Sequence, residues 1–66
     1  NSITDVGVGA QIAFTGVKGG IYNVLINLKD IKDDKFNEHM RKQCTDLEKD
    51  ARAKLDGIEK YIENKI

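Results

Sequence analysis

The chain has 66 residues, with 11 basic and 11 acidic side chains, no proline, no tryptophan and one cysteine. That is at most one small domain, of a size that buries only about 60% of its extended-chain surface. Zero net charge offers no field for nucleic acid or an anionic membrane. One cysteine excludes an internal disulfide, and one cysteine with one histidine, Cys44 and His39, leaves no metal site of that type.

A chain this short is normally ordered by a metal, a disulfide or a partner, so association is the expectation here. A start at Asn1 rather than at a methionine is what a processed or truncated piece of a larger protein would show. Asn1 to Ala10 lacks a basic segment followed by a long apolar one, so no signal peptide is read. Lys18 interrupts the apolar run well short of the roughly 20 residues a membrane span needs. A free cysteine without a targeting segment fits a reducing compartment, and a cytoplasmic location is expected.

Residues 1 to 5, Asn-Ser-Ile-Thr-Asp, read as a helix start, with Ser2, Thr4 and Asp5 as N-cap candidates. Asp5 also suits the positive end of the helix dipole. Residues 6 to 29 admit two readings. By propensity they form a β-hairpin, with Ile12 to Val17 and Ile21 to Leu28 flanking a turn at Lys18-Gly19-Gly20. Five glycines here oppose a helix by something on the order of 5 kcal/mol relative to alanine.

Periodicity decides for the helix. Gln11, Thr15, Lys18, Tyr22 and Lys29 share one face, and Val6, Ala10, Val17, Ile21, Val24 and Leu28 share a second. Gly9, Ala13, Gly16, Gly20, Asn23 and Asn27 share a third, with spacings of 4, 3, 4, 3 and 4. A strand has two faces and explains no such triple sorting. The first helix is placed at about residues 4–29.

Residues 30–34, Asp-Ile-Lys-Asp-Asp, form a short connector with N-cap candidates in Asp33 and Asp34. So short a link joins antiparallel helices. The second helix is placed at about residues 35–64. Its stripe of Phe36, Met40, Cys44, Leu47, Ala51, Leu55, Ile58, Ile62 and Ile66 has spacings of 4, 4, 3, 4, 4, 3, 4 and 4. That period lies nearer an 11-residue repeat than a heptad, so little left-handed supercoil is expected. Glu38 with Lys42 and Glu48 with Arg52 are favourable surface pairs. At 1.5 Å per residue this helix runs roughly 45 Å, so its last turns are expected to pass the end of the first helix. The fold class is therefore all-α: an antiparallel helical hairpin of two long helices.

No catalytic motif is complete. Gly7-Val-Gly9-Ala-Gln-Ile12 lacks the third glycine of a dinucleotide loop, and Gly16 to Gly20 lacks the Lys-Ser/Thr of a phosphate loop. Asp30, Asp33 and Asp34 lack calcium-loop spacing, so no metal site is expected. No aromatic platform for single-stranded nucleic acid is present. Lys18 beside Tyr22 is read as a solvated lysine, since nothing nearby lowers its pKa. His39 is read as exposed, and Cys44 as a small core residue rather than a nucleophile.

The small-residue face of the first helix carries more information. Gly9, Ala13, Gly16 and Gly20 remove side chains, so that another helix can approach closely. Asn23 and Asn27 extend that face, either to bond a neighbouring backbone or to bind a ligand.

Read together, Ser2-Ile-Thr-Asp5-Val-Gly-Val-Gly-Ala10, then Gly16-Val-Lys-Gly-Gly20-Ile-Tyr-Asn23-Val-Leu-Ile-Asn27-Leu-Lys-Asp-Ile31-Lys-Asp33, resembles the formiminotransferase-cyclodeaminase family. The likeness is to the C-terminal part of its cyclodeaminase (methenyltetrahydrofolate cyclohydrolase-like) domain. That family carries Ser-Asp-x-Gly-Val-Gly-Ala, then Gly-Ala-x-x-Asn-Val-x-Ile-Asn-Leu, then a charged helix. Here Thr4-Asp5 stands for Ser-Asp and Gly19-Gly20 for Gly-Ala. The match covers residues 2 to 33 and is generic beyond.

The resemblance implies a fragment of a larger helical bundle that pairs as a dimer, with a folate pocket near the subunit interface. It implies removal of ammonia from 5-formiminotetrahydrofolate to give 5,10-methenyltetrahydrofolate, or the related hydrolysis of the methenyl compound. Folate is then the substrate and no cofactor is implied. The partners are further copies of the chain or the remainder of the domain. Asn23 and Asn27 match family positions and are the candidates for substrate binding. Gly9, Ala13, Gly16 and Gly20 are the candidates for helix packing. The upstream helices, expected to supply the proton-transfer groups, are missing, so no catalytic residue is carried over. The rival reading is a non-enzymatic, self-associating helical module.

Overall fold

A computed structural model describes residues 1–66 as two helices, α1 (Ser2–Leu28) and α2 (Asp34–Lys65), packed as an antiparallel hairpin without strands. The all-α reading holds, and the β-hairpin alternative for residues 12–28 does not. Tertiary packing and an unbroken backbone ladder outweigh the glycine cost, and every glycine keeps a negative φ.

Both starts are capped by a side chain. The α1 cap is Asn1, whose Oδ1 accepts from the Ile3 amide at 2.8 Å. This corrects the candidates Ser2, Thr4 and Asp5. The helix begins one residue before the first apolar repeat position, so Ser2 is already inside it. Thr4 instead donates its hydroxyl to the Asn1 carbonyl, and Asp5 lies in the first turn. Asp33 caps α2 through the Phe36 amide at 3.0 Å, as one of its two candidates should.

The hairpin is closed by Asn37. Its Nδ2 donates to the Leu28 carbonyl at 3.3 Å and to the Ile31 carbonyl at 2.8 Å. One side chain thus binds the C-terminus of α1, the connector and the first turn of α2. It satisfies an α1 carbonyl that has no intrahelical partner.

Along α1 the shielded residues include Ile3, Gly7, Ala10, Phe14, Val17, Ile21, Val24 and Leu28, spaced 4, 3, 4, 3, 4, 3 and 4. Five of the six residues in the expected second stripe lie here. The sixth, Val6, is 59% exposed. At Gly7 the helices come so close that a Cβ would lie 2.9 Å from Ile62 Cδ1.

Along α2 the shielded set is Asn37, Met40, Cys44, Glu48, Ala51, Leu55, Glu59 and Ile62. The 11-residue period is as expected, but four members of the expected stripe are not shielded. Phe36, Leu47 and Ile58 lie outside the seam at 44%, 52% and 36% exposure, and terminal Ile66 at 76%. Their places are taken by the next residues in sequence, Asn37, Glu48 and Glu59. The reason is chemical, because each of these polar residues has a partner on α1. Asn37 bonds the Leu28 carbonyl, Glu48 bonds Lys18 at 2.9 Å, and Glu59 accepts from Gln11 at 2.8 Å.

The helices also finish level. Gly57, Ile58, Tyr61 and Ile62 lie beside Ser2, Ile3 and Val6. The expected overhang of α2 is absent, because its extra length is taken up by the first turn below Asn37. The result is a slab one helix thick, with Cα extents of 50 × 15 × 9 Å, and only Ile21, Leu28, Cys44 and Ile62 are buried.

Candidate functional site

The two broad faces of the slab differ. One is polar and centred on Lys18, whose Nζ lies 2.9 Å from Glu48 Oε1 and 4.9 Å from the centre of the Tyr22 ring. Arg52 approaches the other Glu48 oxygen at 3.6 Å and covers the Phe14 ring at 4.9 Å. The hydrogen bond to Glu48, and next the neighbouring Tyr22 side chain, raise the Lys18 pKa above its ordinary value. The Glu48 carboxyl is held below its ordinary value, chiefly by the bond from Lys18, against a smaller opposing effect of desolvation.

Lys18 is therefore paired rather than solvated, which corrects the sequence expectation. A raised pKa at pH 7 makes it a cationic tether and a poor general base. The i,i+4 pair Glu48–Arg52 forms as expected, whereas Lys42 pairs forward with Asp46 at 3.1 Å rather than back with Glu38.

The other face is apolar. An open groove of about 540 Å³ lies between Val6 on α1 and Ile58 and Tyr61 on α2. A second, of about 360 Å³, lies between Val17, Gly20 and Val24 on α1 and Met40 and Leu47 on α2. Lys54 is the only charged residue lining either groove.

Gly9, Ala13, Gly16 and Gly20 are all exposed along the outer edge of α1, and a Cβ added at any of the three glycines meets nothing within 4 Å. The hairpin itself makes no use of this small-residue row. Asn23 and Asn27 continue the row and are exposed too. Asn27 Nδ2 donates to the Asn23 carbonyl at 2.8 Å, one turn back. That leaves the Asn27 Oδ1, its second N–H and the whole Asn23 amide facing outward.

His39 is exposed, and Cys44 is buried as a free thiol in the seam, both as expected. No group of three or more His, Cys, Asp or Glu side chains is arranged to hold a metal ion. No helix is long and apolar enough to cross a membrane. Sequence reasoning missed the three polar contacts along the seam. Their signal was present in the recurrence of Asn37, Glu48 and Glu59 at intervals of 11, each following a large apolar residue.

Residues 1–46 match the family model described as Formiminotransferase-cyclodeaminase, a segment that takes in α1, the connector and the start of α2. The chain is 41% identical over 60 residues to the formimidoyltransferase-cyclodeaminase of Sus scrofa, covering 85% of this chain and 11% of that protein. It is 43% identical over 51 residues to the Rattus norvegicus protein of the same name, covering 77% and 9%. With that of Dictyostelium discoideum it shares 34% over 64 residues, covering 97% and 12%. It thus spans about a tenth of the length of these relatives. No solved structure matches. On the family match and these identities, the chain belongs to the formiminotransferase-cyclodeaminase family.

Proposed function

We propose that this chain is the C-terminal helical hairpin of a folate-dependent cyclodeaminase domain, serving mainly helix packing and subunit association. The reaction of that domain is conversion of 5-formiminotetrahydrofolate to 5,10-methenyltetrahydrofolate plus ammonia, or the related methenyltetrahydrofolate cyclohydrolysis. The observation that carries this reading is the family match over residues 1–46. A tetrahydrofolate derivative is the substrate, no further cofactor takes part, and the location is cytoplasmic.

The chemistry of the hairpin supports a binding and positioning role. Asn23 and Asn27 present amide donors and acceptors side by side on an exposed helix face, which suits a ligand carrying amide-like ring edges. The ionisable groups of the polar face neutralise one another, so proton transfer is left to residues outside this hairpin. The second reading, a non-enzymatic self-associating module, is favoured by the exposure of Phe36, Leu47 and Ile58.

A chimera separates the two. These 66 residues replace the matching segment of the Sus scrofa relative, and ammonia release from 5-formiminotetrahydrofolate is followed. The enzyme reading expects turnover by the chimera, a fall of at least about tenfold in kcat/KM for Asn23→Ala with Asn27→Ala, and none from the isolated hairpin. A folded chimera without turnover, or turnover by the hairpin alone, overturns it.

A further inference from the structure

We infer that α2 has a second rotational register, in which Phe36, Leu47 and Ile58 replace Asn37, Glu48 and Glu59 in the seam with α1. The three polar residues act as a lock that holds α2 in the register of this structure. The device lies within one hairpin and rests neither on folate chemistry nor on contact with any other chain.

Two rows run side by side along α2. Residues 11 apart return to nearly the same line after three turns. Phe36, Leu47 and Ile58 therefore form one row, and Asn37, Glu48 and Glu59 form another. Met40, Cys44, Ala51, Leu55 and Ile62 lie between the two rows and are shielded by α1. The seam thus has a polar flank turned toward α1 and an apolar flank turned away. A turn of α2 by roughly half the 100° between successive residues exchanges the flanks and leaves the middle residues in the seam.

The forces on the two flanks differ in kind. Glu48 accepts from Lys18 at 2.9 Å and Glu59 accepts from Gln11 at 2.8 Å. Asn37 donates to the Leu28 and Ile31 carbonyls. These bonds hold the polar flank inward. Against them stands the burial of Phe36 and Leu47, which are 44% and 52% exposed, and of Ile58. Apolar area left in water favours any register that removes it.

Little in the seam opposes the turn by shape. Large side chains that interdigitate fix the rotation of a helix, but this seam is lined at several levels by small ones. Gly7 and Ala10 on α1 and Ala51 on α2 are among them. At Gly7 no Cβ stands in the way of the Ile62 side chain. Only Ile21, Leu28, Cys44 and Ile62 are buried, so few packed contacts have to be broken. The register is therefore set by specific bonds rather than by interlocking. Any neighbour that packs on the row of Phe36, Leu47 and Ile58 selects the locked register, because only that register presents the row.

Hydroxyl-radical footprinting of the 66-residue chain reads the exposure of the native side chains. The unmodified chain is compared with Asn37→Ala, Glu48→Ala and Glu59→Ala combined, at low and high protein concentration, with circular dichroism on the same samples. The combined variant is expected to keep its helix content, alanine being the best helix former. Oxidation of Phe36 and Leu47 should fall at least about threefold, since the turn removes most of their exposed area. Ile12, 67% exposed on the outer surface of α1, should react as before. Equal protection at both concentrations separates a turn within one chain from association. Leu47→Ala added to the combined variant should lower Tm by at least about 8 °C, and by less than half of that in the unmodified chain. Glu48→Ala with Glu59→Ala, which keeps the Asn37 clasp, is measured alongside. Unchanged oxidation of Phe36 and Leu47, protection seen only at high concentration, or equal Tm losses overturn the inference. Loss of the helix signal in both multiple variants overturns it too, because the second register has to hold the hairpin together without these bonds.

Discussion

The close approach at Gly7 yields a quantitative comparison between two glycines of one helix. Alanine is favoured over glycine in a helix interior by about 0.8–1.0 kcal/mol. At Gly19, on the outer surface of α1, an added Cβ meets nothing within 4 Å. Gly19→Ala should gain that full amount, which for a chain of this size raises Tm by roughly 4–8 °C. At Gly7 the same Cβ falls 2.9 Å from Ile62 Cδ1. Ile62 is buried, so its side chain must leave its rotamer minimum, at a cost of about 0.5–1.5 kcal/mol. Because the obstructing atom is the tip of a flexible side chain, the cost stays near that range. The helix gain and the displacement then cancel to within about 0.7 kcal/mol. Gly7→Leu gains a similar helix propensity but drives a whole side chain into buried Ile62, so overpacking outweighs the gain and Tm should fall. The assay is thermal unfolding followed by circular dichroism, at one protein concentration for all variants because association also moves Tm. Equal stabilisation by Gly7→Ala and Gly19→Ala would refute the claim that the helices need glycine at that crossing.

Two further predictions concern the polar contacts. Asn37→Ala removes both bonds from Nδ2 to the Leu28 and Ile31 carbonyls. It should cost about 1–2 kcal/mol, part of the loss being offset because the buried Asn37 Oδ1 has no donor to lose; an unchanged Tm would show that the connector needs no clasp. The Lys18–Glu48 pair makes stability pH-dependent at both ends. The folded value of Glu48 lies below its ordinary 4.5, so its contribution is complete above pH 4.5 and is lost as pH falls through the depressed value. That of Lys18 lies above its ordinary 10.5, so its contribution is complete below pH 10.5 and is lost as pH rises through the raised value. Glu48→Gln should flatten the acid-side fall in Tm below pH 4.5; an acid limb as steep as that of the unmodified chain would place its origin in other carboxylates.

The two helices, their antiparallel order and the exposure of His39 are legible in the sequence because each follows from local spacing and a short connector. Burial of Cys44 is legible for the same reason, since its neighbours at four-residue steps are apolar. Asn1 was missed as the cap because Ser2, Thr4 and Asp5 are all good cap residues, and sequence alone ranks them no lower. The clasp by Asn37 joins residues 9 and 6 apart across a turn, a geometry no periodic pattern encodes. The pairing of Lys18 with Glu48 was missed for a related reason. It lies 30 residues away along the chain, and only the rotation of α2 about its axis brings it into reach. Of the candidate site, the alignment of Asn23 and Asn27 with the small row follows from spacing alone. That the row faces away from α2 does not, because a helical wheel sorts residues into faces without saying which face meets the neighbour.

That ambiguity carries a physical message about α2. In the sequence its apolar stripe reads as a single seam, because hydrophobic periodicity records only that residues avoid water. In the hairpin, Cys44, Ala51, Leu55 and Ile62 take the seam, while Phe36, Leu47 and Ile58 stand on the free face. A helix that packs against one neighbour needs only a narrow stripe, whereas one that packs against two needs an apolar arc of about 100° or more. The arc of α2 is of the second kind. Its inner edge is held by polar groups that bond specifically to α1, which fixes the rotation of the helix. Without those contacts, α2 could turn about its axis and bury Leu47 in the hairpin in place of Glu48. The contacts at Asn37, Glu48 and Glu59 therefore do more than stabilise the pair, since they hold half of the apolar arc outward, available to a second layer.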